Sequence, residues 1–280
     1  MIQSLVYGLT IGAILYFFSI GLSITFGTMH IINFAHGMVY LLGVYFFITL
    51  LAAFKGMVPL AACGALLLGA PVAYLTERFV IRRLYGESLD YAMIATYALL
   101  LIGTDVVKFF WGTTPYPVTD PIGTSVHILG FGLPVYRILI IALAVLLFLG
   151  LNQLTKRSVA GKIVVAALED KDGVRCLGIN VDRYFSGVFV LGSLLAVLGG
   201  VLYAPISTAE PYMGYNILLI AFAVVVTGGM GSFTGTFVAA FAMGLVIAFT
   251  GRFWSQAADT MVFVVMTLVI IFRREGRTEG

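Results

Sequence analysis

Long stretches without any charged side chain dominate this sequence. No Asp, Glu, Lys or Arg occurs before Lys55, and residues 211–251 are also free of them. A helix needs about 20 apolar residues to cross the hydrocarbon core of a bilayer, so each stretch has room for two crossings. Charged residues make up 10% of the chain, whereas soluble domains carry about 25%. The sequence therefore argues against a soluble enzyme, a disordered chain and a nucleic-acid-binding protein, and it predicts an all-α, polytopic helical membrane bundle.

Hydropathy divides the chain into apolar spans separated by polar breaks. Backbone groups in lipid must satisfy one another, which makes a helix the default structure of each span. We predict nine spans in a single transmembrane domain over residues 1–280, or eight if the short piece 214–230 is re-entrant. The predicted spans cover residues 4–26, 37–54, 58–76, 91–110, 137–153, 184–205, 214–230, 234–250 and 257–272.

Lys and Arg are distributed unevenly among the breaks. Twelve of the 16 lie near 77–90, within 154–183 and after Phe272, and four lie in the other breaks. Loops rich in Lys and Arg stay on the cytoplasmic side of a membrane. With nine spans, this bias predicts an N-terminus outside the cytoplasm and a C-terminus in the cytoplasm.

Two segments between spans are long enough to have a function, because plain connections are usually far shorter. The outer segment, residues 111–136, is predicted to form a short hairpin around a glycine turn, as a capping loop or as a docking surface for an outside partner. The inner segment, residues 154–183, is predicted to form a short amphipathic helix below the membrane. Its apolar positions at helical spacing are Ile163, Val164, Ala167, Val174 and Leu177.

Motifs for catalysis and cofactor binding are missing from the sequence. A phosphate-binding loop ends in Gly-Lys-Ser/Thr, but Ile179 follows Gly178. His30 and His36 are six positions apart instead of four, which argues against a helical zinc site. His36 is either a polar residue satisfied by backbone or a proton-sensitive group beside a pathway. No charge falls at the middle of a span, which disfavours a proton- or sodium-coupled transporter.

Small residues mark both close packing and breaks in the helices. Gly192, Ala196, Gly200 and Ala204 repeat every four residues, a spacing that lets helix backbones approach closely. Residues 228–232, with three glycines in four positions, weaken any helix. Residues 28–37, reading TMHIINFAHG, form a second polar interruption. Broken helices at membrane depth are tolerated where they are buried or line a cavity, so the two interruptions predict a translocation site.

Three motifs occur in order along the chain: Phe26-Gly27 followed by Ile31–Gly37, then Gly178–Arg183, then Ala221–Val226 followed by Gly228–Ser232. Together they resemble the permease subunits of branched-chain amino acid ABC importers, the LivH/LivM type. Met38 stands where that family often has Glu. The resemblance covers most of the chain.

The resemblance implies an importer of the bacterial inner membrane that takes up branched-chain or other hydrophobic amino acids, or related small solutes. Its partners would be a periplasmic solute-binding protein, a second related permease subunit or a second copy of this chain, and two ATP-binding cassette ATPase subunits. ATP and magnesium would bind to the ATPases, so this chain would need no cofactor and no metal and would not be an enzyme.

The resemblance also suggests which residues carry these roles. For the translocation pathway they are Asn33, Phe34, His36, Gly37, Tyr40, Gly228, Gly229, Met230 and Gly231. For ATPase coupling they are Ala166, Ala167, Asp170, Val174, Gly178 and Ile179. The alternative function is a passive channel or facilitator for a small polar solute such as urea or an amide. A channel needs no ATPase, so residues 154–183 would then have no ATPase to bind.

Overall fold

A computed structural model describes residues 1–29, 31–128 and 131–275, which form eleven α-helices and one two-stranded sheet. The helices are α1 (Ile2–Met29), α2 (Ala35–Ala53), α3 (Val58–Phe79), α4 (Leu89–Trp111), α5 (Val135–Arg157), α6 (Val159–Glu169), α7 (Lys171–Cys176), α8 (Val181–Tyr203), α9 (Met213–Gly228), α10 (Phe233–Phe253) and α11 (Ala258–Glu275). Short 3-10 turns cover Ile81–Leu84 and Ser255–Ala257.

Each predicted span corresponds to one helix, and the ends differ by only a few residues. Eight of these segments are at least 18 residues long and apolar enough to cross a membrane. The exception is α9, which has 16 residues. The prediction of an all-α, multi-pass membrane bundle is therefore confirmed for the part of the chain that the structure describes.

Two contacts show that α9 still carries the chain from one face of the bundle to the other. After α8, Ala209 pairs with Tyr116 through two backbone hydrogen bonds of 2.9 and 3.0 Å. Tyr116 belongs to the connection that also holds the hairpin, and we call this side the hairpin face.

The start of α10 instead lies at the far end of α1, where the Gly231 N–H donates to Ser23 Oγ at 3.1 Å. We call that side the arginine face, after Arg78, Arg82, Arg157 and Arg183. Counting α9, the chain makes nine passes.

The first helix lies at the centre of the bundle, with most residues from Gly8 to Thr25 buried. Glycines let the neighbouring backbones come close to it. A Cβ on Gly12 would meet Phe241 Cα of α10 at 2.7 Å, and a Cβ on Gly192 of α8 would meet Gly21 O at 2.9 Å. This contact confirms the predicted close packing around Gly192. Helices in lipid depend on such contacts because the hydrophobic effect does not drive their association.

The predicted hairpin forms on the face named after it. Strands β1 (Ser125–Ile128) and β2 (Phe131–Pro134) pair antiparallel, with Ser125 opposite Pro134. Two residues of the predicted turn, Leu129 and Gly130, lie outside the described residues, as does His30.

The inner segment forms two short helices, α6 and α7, where the sequence predicted one. The break falls at Asp170, whose Oδ1 accepts from the Gly173 N–H at 2.8 Å and caps α7. Side chains of Asp favour such caps because they satisfy free N–H groups of a first turn. The predicted apolar stripe is wrong at Leu177, which is 77% exposed just after α7.

We expect Gly244→Ala to destabilise the chain far more than Gly150→Ala. A Cβ at Gly244 of α10 would collide with Gly12 N and Gly8 O, whereas nothing lies within 4 Å of a Cβ at Gly150 of α5. Overpacking costs about 1–3 kcal/mol of stability. Thermal unfolding in detergent measures the difference, and equal midpoints for the two variants would contradict the packing described here.

Candidate functional site

The first interruption brings the chain back into the bundle before α2 begins. The backbone there is satisfied by α4, because the Phe34 N–H donates to Thr96 Oγ1 at 3.2 Å and the same hydroxyl lies 3.2 Å from Ile32 O. His36 lies opposite Phe18, in the middle of α1, with Nε2 3.1 Å from Phe18 O and ring centroids 4.7 Å apart. Helix α2 therefore starts at mid-depth and not at a membrane surface.

Several polar atoms around this start are buried without a partner. They are both side-chain polar atoms of Asn33, Nδ1 of His36 and the hydroxyls of Tyr40, Ser19 and Ser193. Leaving a buried polar group unpaired costs about 1–3 kcal/mol. His36 is thus satisfied by backbone at one nitrogen only, so the two interpretations of its role both retain support.

Helices α2 and α9 begin side by side, with their backbones in close contact. A Cβ on Gly37 would lie 2.8 Å from Gly214 O, and one on Gly214 would lie 2.6 Å from Gly37 O. Phe34 packs beside this crossing, with its ring 5.4 Å from that of Phe222 and 5.8 Å from that of Tyr97. The start of α9 is therefore inside the bundle, as is the start of α2.

The second interruption is the glycine break between α9 and α10, which the structure confirms. Gly229 and Gly231 have φ of +93° and +81°, a region that glycine adopts at no steric cost. Gly228 packs against the backbone of Gly235, and Met230 is 55% exposed. The break lies at the arginine face, where Gly231 contacts Ser23 and Gly27 of α1. His36 of the first interruption lies against Gly21 of the same helix, so both interruptions meet the arginine-face end of α1.

A cavity at the hairpin face was not predicted from the sequence. It has a volume of about 290 Å³ and lies between α1, α9 and the link after α8. Its polar lining includes Tyr203, Ser207, Glu210, Asn216 and Asp259, beside several isoleucines. A shallower depression of about 760 Å³ continues from it past Arg137 and Arg252. Glu210 and Asp259 are 49 positions apart, and sequence spacing gives no sign that the fold brings them to one cavity.

The predicted coupling residues divide into two groups. Ala167, which is 5% exposed, and Val174 are buried with Val181 and Phe185 of α8, and Ile179 packs against them. Ala166, Asp170 and Gly178 are exposed. The first group therefore holds α6 and α7 onto the bundle, and the second is available to another protein.

Ion pairs fasten α7 to α8. Asp182 receives Arg175 Nη2 at 3.1 Å and Lys171 Nζ at 3.8 Å. Both partners of Asp182 are partly exposed, and such pairs contribute little stability individually. Their effect is to fix the direction in which α7 leaves the bundle.

A buried carboxylate near the end of α3 was also missed. The sequence placed Glu77 in a polar break, but α3 continues to Phe79 and buries it. Ser186 Oγ donates to Glu77 Oε1 at 2.7 Å and the Tyr85 hydroxyl donates to it at 3.3 Å. Burial, then the neighbouring Glu77 carboxylate, raises the pKa of Tyr85, so its hydroxyl remains a donor at neutral pH.

Among the described residues, no group of three or more His, Cys, Asp or Glu side chains is placed to hold a metal ion. The expectation that this chain carries no cofactor stays a prediction.

Sequence comparison identifies the group of proteins with this arrangement. The family described as "Branched-chain amino acid transport system / permease component" matches residues 4–272. This chain belongs to that family. The high-affinity branched-chain amino acid permease protein BraD of Pseudomonas aeruginosa is 30% identical to it, over 98% of this chain and 94% of BraD. LivH of Escherichia coli is 25% identical over the same shares of the two chains.

Structure comparison supports the fold of this permease. The solved structure of PsaBC from Streptococcus pneumoniae in complex with Fab aligns with a TM-score of 0.52, covering 96% of this chain and 89% of that one. Identity is 11%, so this likeness concerns the fold alone. Together with its apolar helices, the family places the chain as a multi-pass protein of the inner membrane.

We expect Gly231→Ala to lower solute uptake severalfold, whereas Gly86→Ala leaves it near the wild-type level. Both glycines have positive φ, +81° and +87°, so an added Cβ causes similar backbone strain of about 1–2 kcal/mol. Only Gly231 joins α9 to α1, through Ser23. Uptake is measured at matched membrane expression. Equal uptake by the two variants would mean that the glycine break has no part in transport.

Proposed function

We propose that this chain is the transmembrane subunit of an ATP-binding cassette importer that takes up branched-chain or other hydrophobic amino acids, or related small solutes. The observation that supports this most directly is the family match over residues 4–272, joined to a structured segment, α6 and α7, outside the spans. A passive channel has no use for such a segment. The curated relatives BraD and LivH are named as branched-chain amino acid permeases, which favours that substrate class here.

The proposal includes the partners that an importer requires. Two ATP-binding cassette ATPases would bind ATP and magnesium, a periplasmic solute-binding protein would deliver the solute, and a second permease subunit or a second copy of this chain would complete the membrane part. The chain itself is a transport subunit and not an enzyme. Helices α3, α4, α5 and α11 are largely unburied in the single chain, which leaves surface for both lipid and a partner subunit.

The solute would enter at the hairpin face. The cavity there offers the carboxylates of Glu210 and Asp259 to an ammonium group and isoleucine side chains to an aliphatic group. Below it, the unpaired polar atoms of Asn33, His36 and Tyr40 provide hydrogen-bonding groups at mid-depth. Gly37 would allow movement of α9 against α2. The break formed by Gly228, Gly229, Met230 and Gly231 would let α9 move at the arginine face.

Coupling to the ATPase would occur at the arginine face through α6 and α7. We assign direct contact to Ala166, Asp170 and Gly178, which are exposed. Movement of the ATPase would be transmitted to α8 by the residues that pack against it, which are Ala167, Val174 and Ile179. This assignment puts the arginine face in the cytoplasm, the hairpin face and the N-terminus in the periplasm, and the end of α11 in the cytoplasm.

We expect uptake of radiolabelled leucine, isoleucine or valine into proteoliposomes only when the permease pair, the ATPases, the binding protein and ATP are all present. The physical reason is that Gly37 of α2 and Gly214 of α9 are in backbone contact in the single chain, so separating the two helices requires work. Omission of ATP is the control. Equal flux of urea or an amide without ATP or the ATPases would support the channel instead.

We expect Ala166→Arg to abolish retention of the ATPase in a detergent pull-down without changing the thermal stability of the permease. A charge misplaced in a tight interface costs roughly 2–5 kcal/mol. Ala167→Arg should instead lower the permease's own melting temperature, because Ala167 is buried against α8. Glu87→Arg, at an exposed loop on the same face, is the control for an added positive charge. Full ATPase retention by Ala166→Arg and by Gly178→Arg would contradict the coupling assignment and the orientation derived from it.

A further inference from the structure

A groove separate from the coupling helices opens between α3 and α8 at the arginine face. Its volume is about 780 Å³. Three arginines, Arg78, Arg82 and Arg183, lie along it with Asn180. Further along α8 its wall becomes apolar, with Val190, Leu191 and Leu194. One end of the groove is thus cationic and the other apolar.

The charges at the cationic end favour a phosphate. Arg82 Nε lies 3.9 Å from Glu77 Oε1, so one guanidinium is partly neutralised and an excess of positive charge remains. Arg78 and Arg183 are exposed, and none of the ion pairs found within the described residues includes them. Guanidinium groups match the geometry of phosphate oxygens and hold them with paired donors.

The carboxylate that lines the groove adds a second requirement. Glu77 Oε1 accepts from Ser186 and Tyr85, but Oε2 is buried with no hydrogen-bond partner. A buried acceptor left unpaired is costly, so a ligand with a hydrogen-bond donor would relieve that cost. The ligand therefore carries a phosphate and, beside it, an ammonium or hydroxyl group.

The length of the groove decides between a small solute and a lipid. From Arg183 to Leu194 the wall follows α8 for about 16 Å, at 1.5 Å per residue. A free amino acid spans only a fraction of that length, whereas an acyl chain fills it. Basic pockets between transmembrane helices on the cytoplasmic side of a membrane are known to hold lipid headgroups.

We propose that this groove binds one phospholipid whose headgroup carries a hydrogen-bond donor, either phosphatidylethanolamine or phosphatidylglycerol. The phosphate lies between Arg78 and Arg183, the ammonium or glycerol hydroxyl donates to Glu77 Oε2, and an acyl chain lies along Leu191 and Leu194. Since α8 also carries Asp182, the anchor of α7, the lipid occupies the same helix that holds the coupling segment. The proposal is independent of the solute that is transported.

The test uses the full chain, purified and delipidated, then incubated separately with phosphatidylethanolamine, phosphatidylglycerol and phosphatidylcholine of the same acyl composition. Native mass spectrometry counts the lipids retained. We expect one tightly held phosphatidylethanolamine or phosphatidylglycerol. Retention should be about tenfold weaker in Arg78→Gln and in Arg183→Gln, because each variant loses a charge-assisted hydrogen bond to the phosphate. Arg157→Gln, on the same face but outside the groove, should behave like the wild type.

A second variant tests the donor requirement. In Glu77→Gln the amide oxygen can still accept from Ser186 and Tyr85. The amide NH₂ then takes the place of Oε2, so a donor replaces the acceptor that the lipid headgroup needs. The preference for phosphatidylethanolamine or phosphatidylglycerol over phosphatidylcholine, which has no headgroup donor, should then disappear while the melting temperature stays close to wild type. Equal retention of all three lipids by the wild type, or the same loss in Arg157→Gln as in Arg183→Gln, would overturn the proposal. Displacement of the lipid by millimolar leucine would overturn it too and would assign the groove to an amino acid.

Discussion

The close approach of helix backbones to α1 is the constraint on which the rest of the structure depends. In lipid, apolar side chains gain nothing by leaving the solvent, so association requires tight van der Waals contact. Gly12 against α10 and Gly21 against Gly192 of α8 supply that contact. Because α1 is surrounded in this way, α2 and α9 can start at mid-depth against it with their backbones shielded from lipid.

Much of this architecture is encoded in hydropathy alone. Apolar runs and their polar breaks predicted every spanning helix to within a few residues, including the short α9, because burial in lipid is a local property of a segment. The glycine break at residues 228–232 and the hairpin followed from local backbone preferences for the same reason. The predicted coupling residues were correctly located in a segment outside the spans.

What sequence could not predict depends on contacts between distant segments. Ala167 faces α8 and Ala166 faces away from it, and their identical side chains carry no sign of this difference. Glu77 lies one residue beyond the predicted span 58–76, yet α3 continues past it and buries it, with Ser186 and Tyr85 donating to its carboxylate. The hairpin-face cavity gathers Tyr7, Glu210 and Asp259 from three distant parts of the chain. The meeting of the two interruptions at the end of α1 likewise depends on contacts between distant segments.

The mid-depth starts of α2 and α9 have an electrostatic consequence for whatever passes between them. The N-terminus of a helix carries a partial positive charge of about half an elementary charge, from its aligned peptide dipoles. Two such ends meet where Gly37 touches Gly214, in a region where little water screens them. A bare cation would be repelled from this point, whereas a group with a carboxylate would be drawn to it. The backbone dipoles of these two helices therefore favour negative over positive charge at the centre of the bundle.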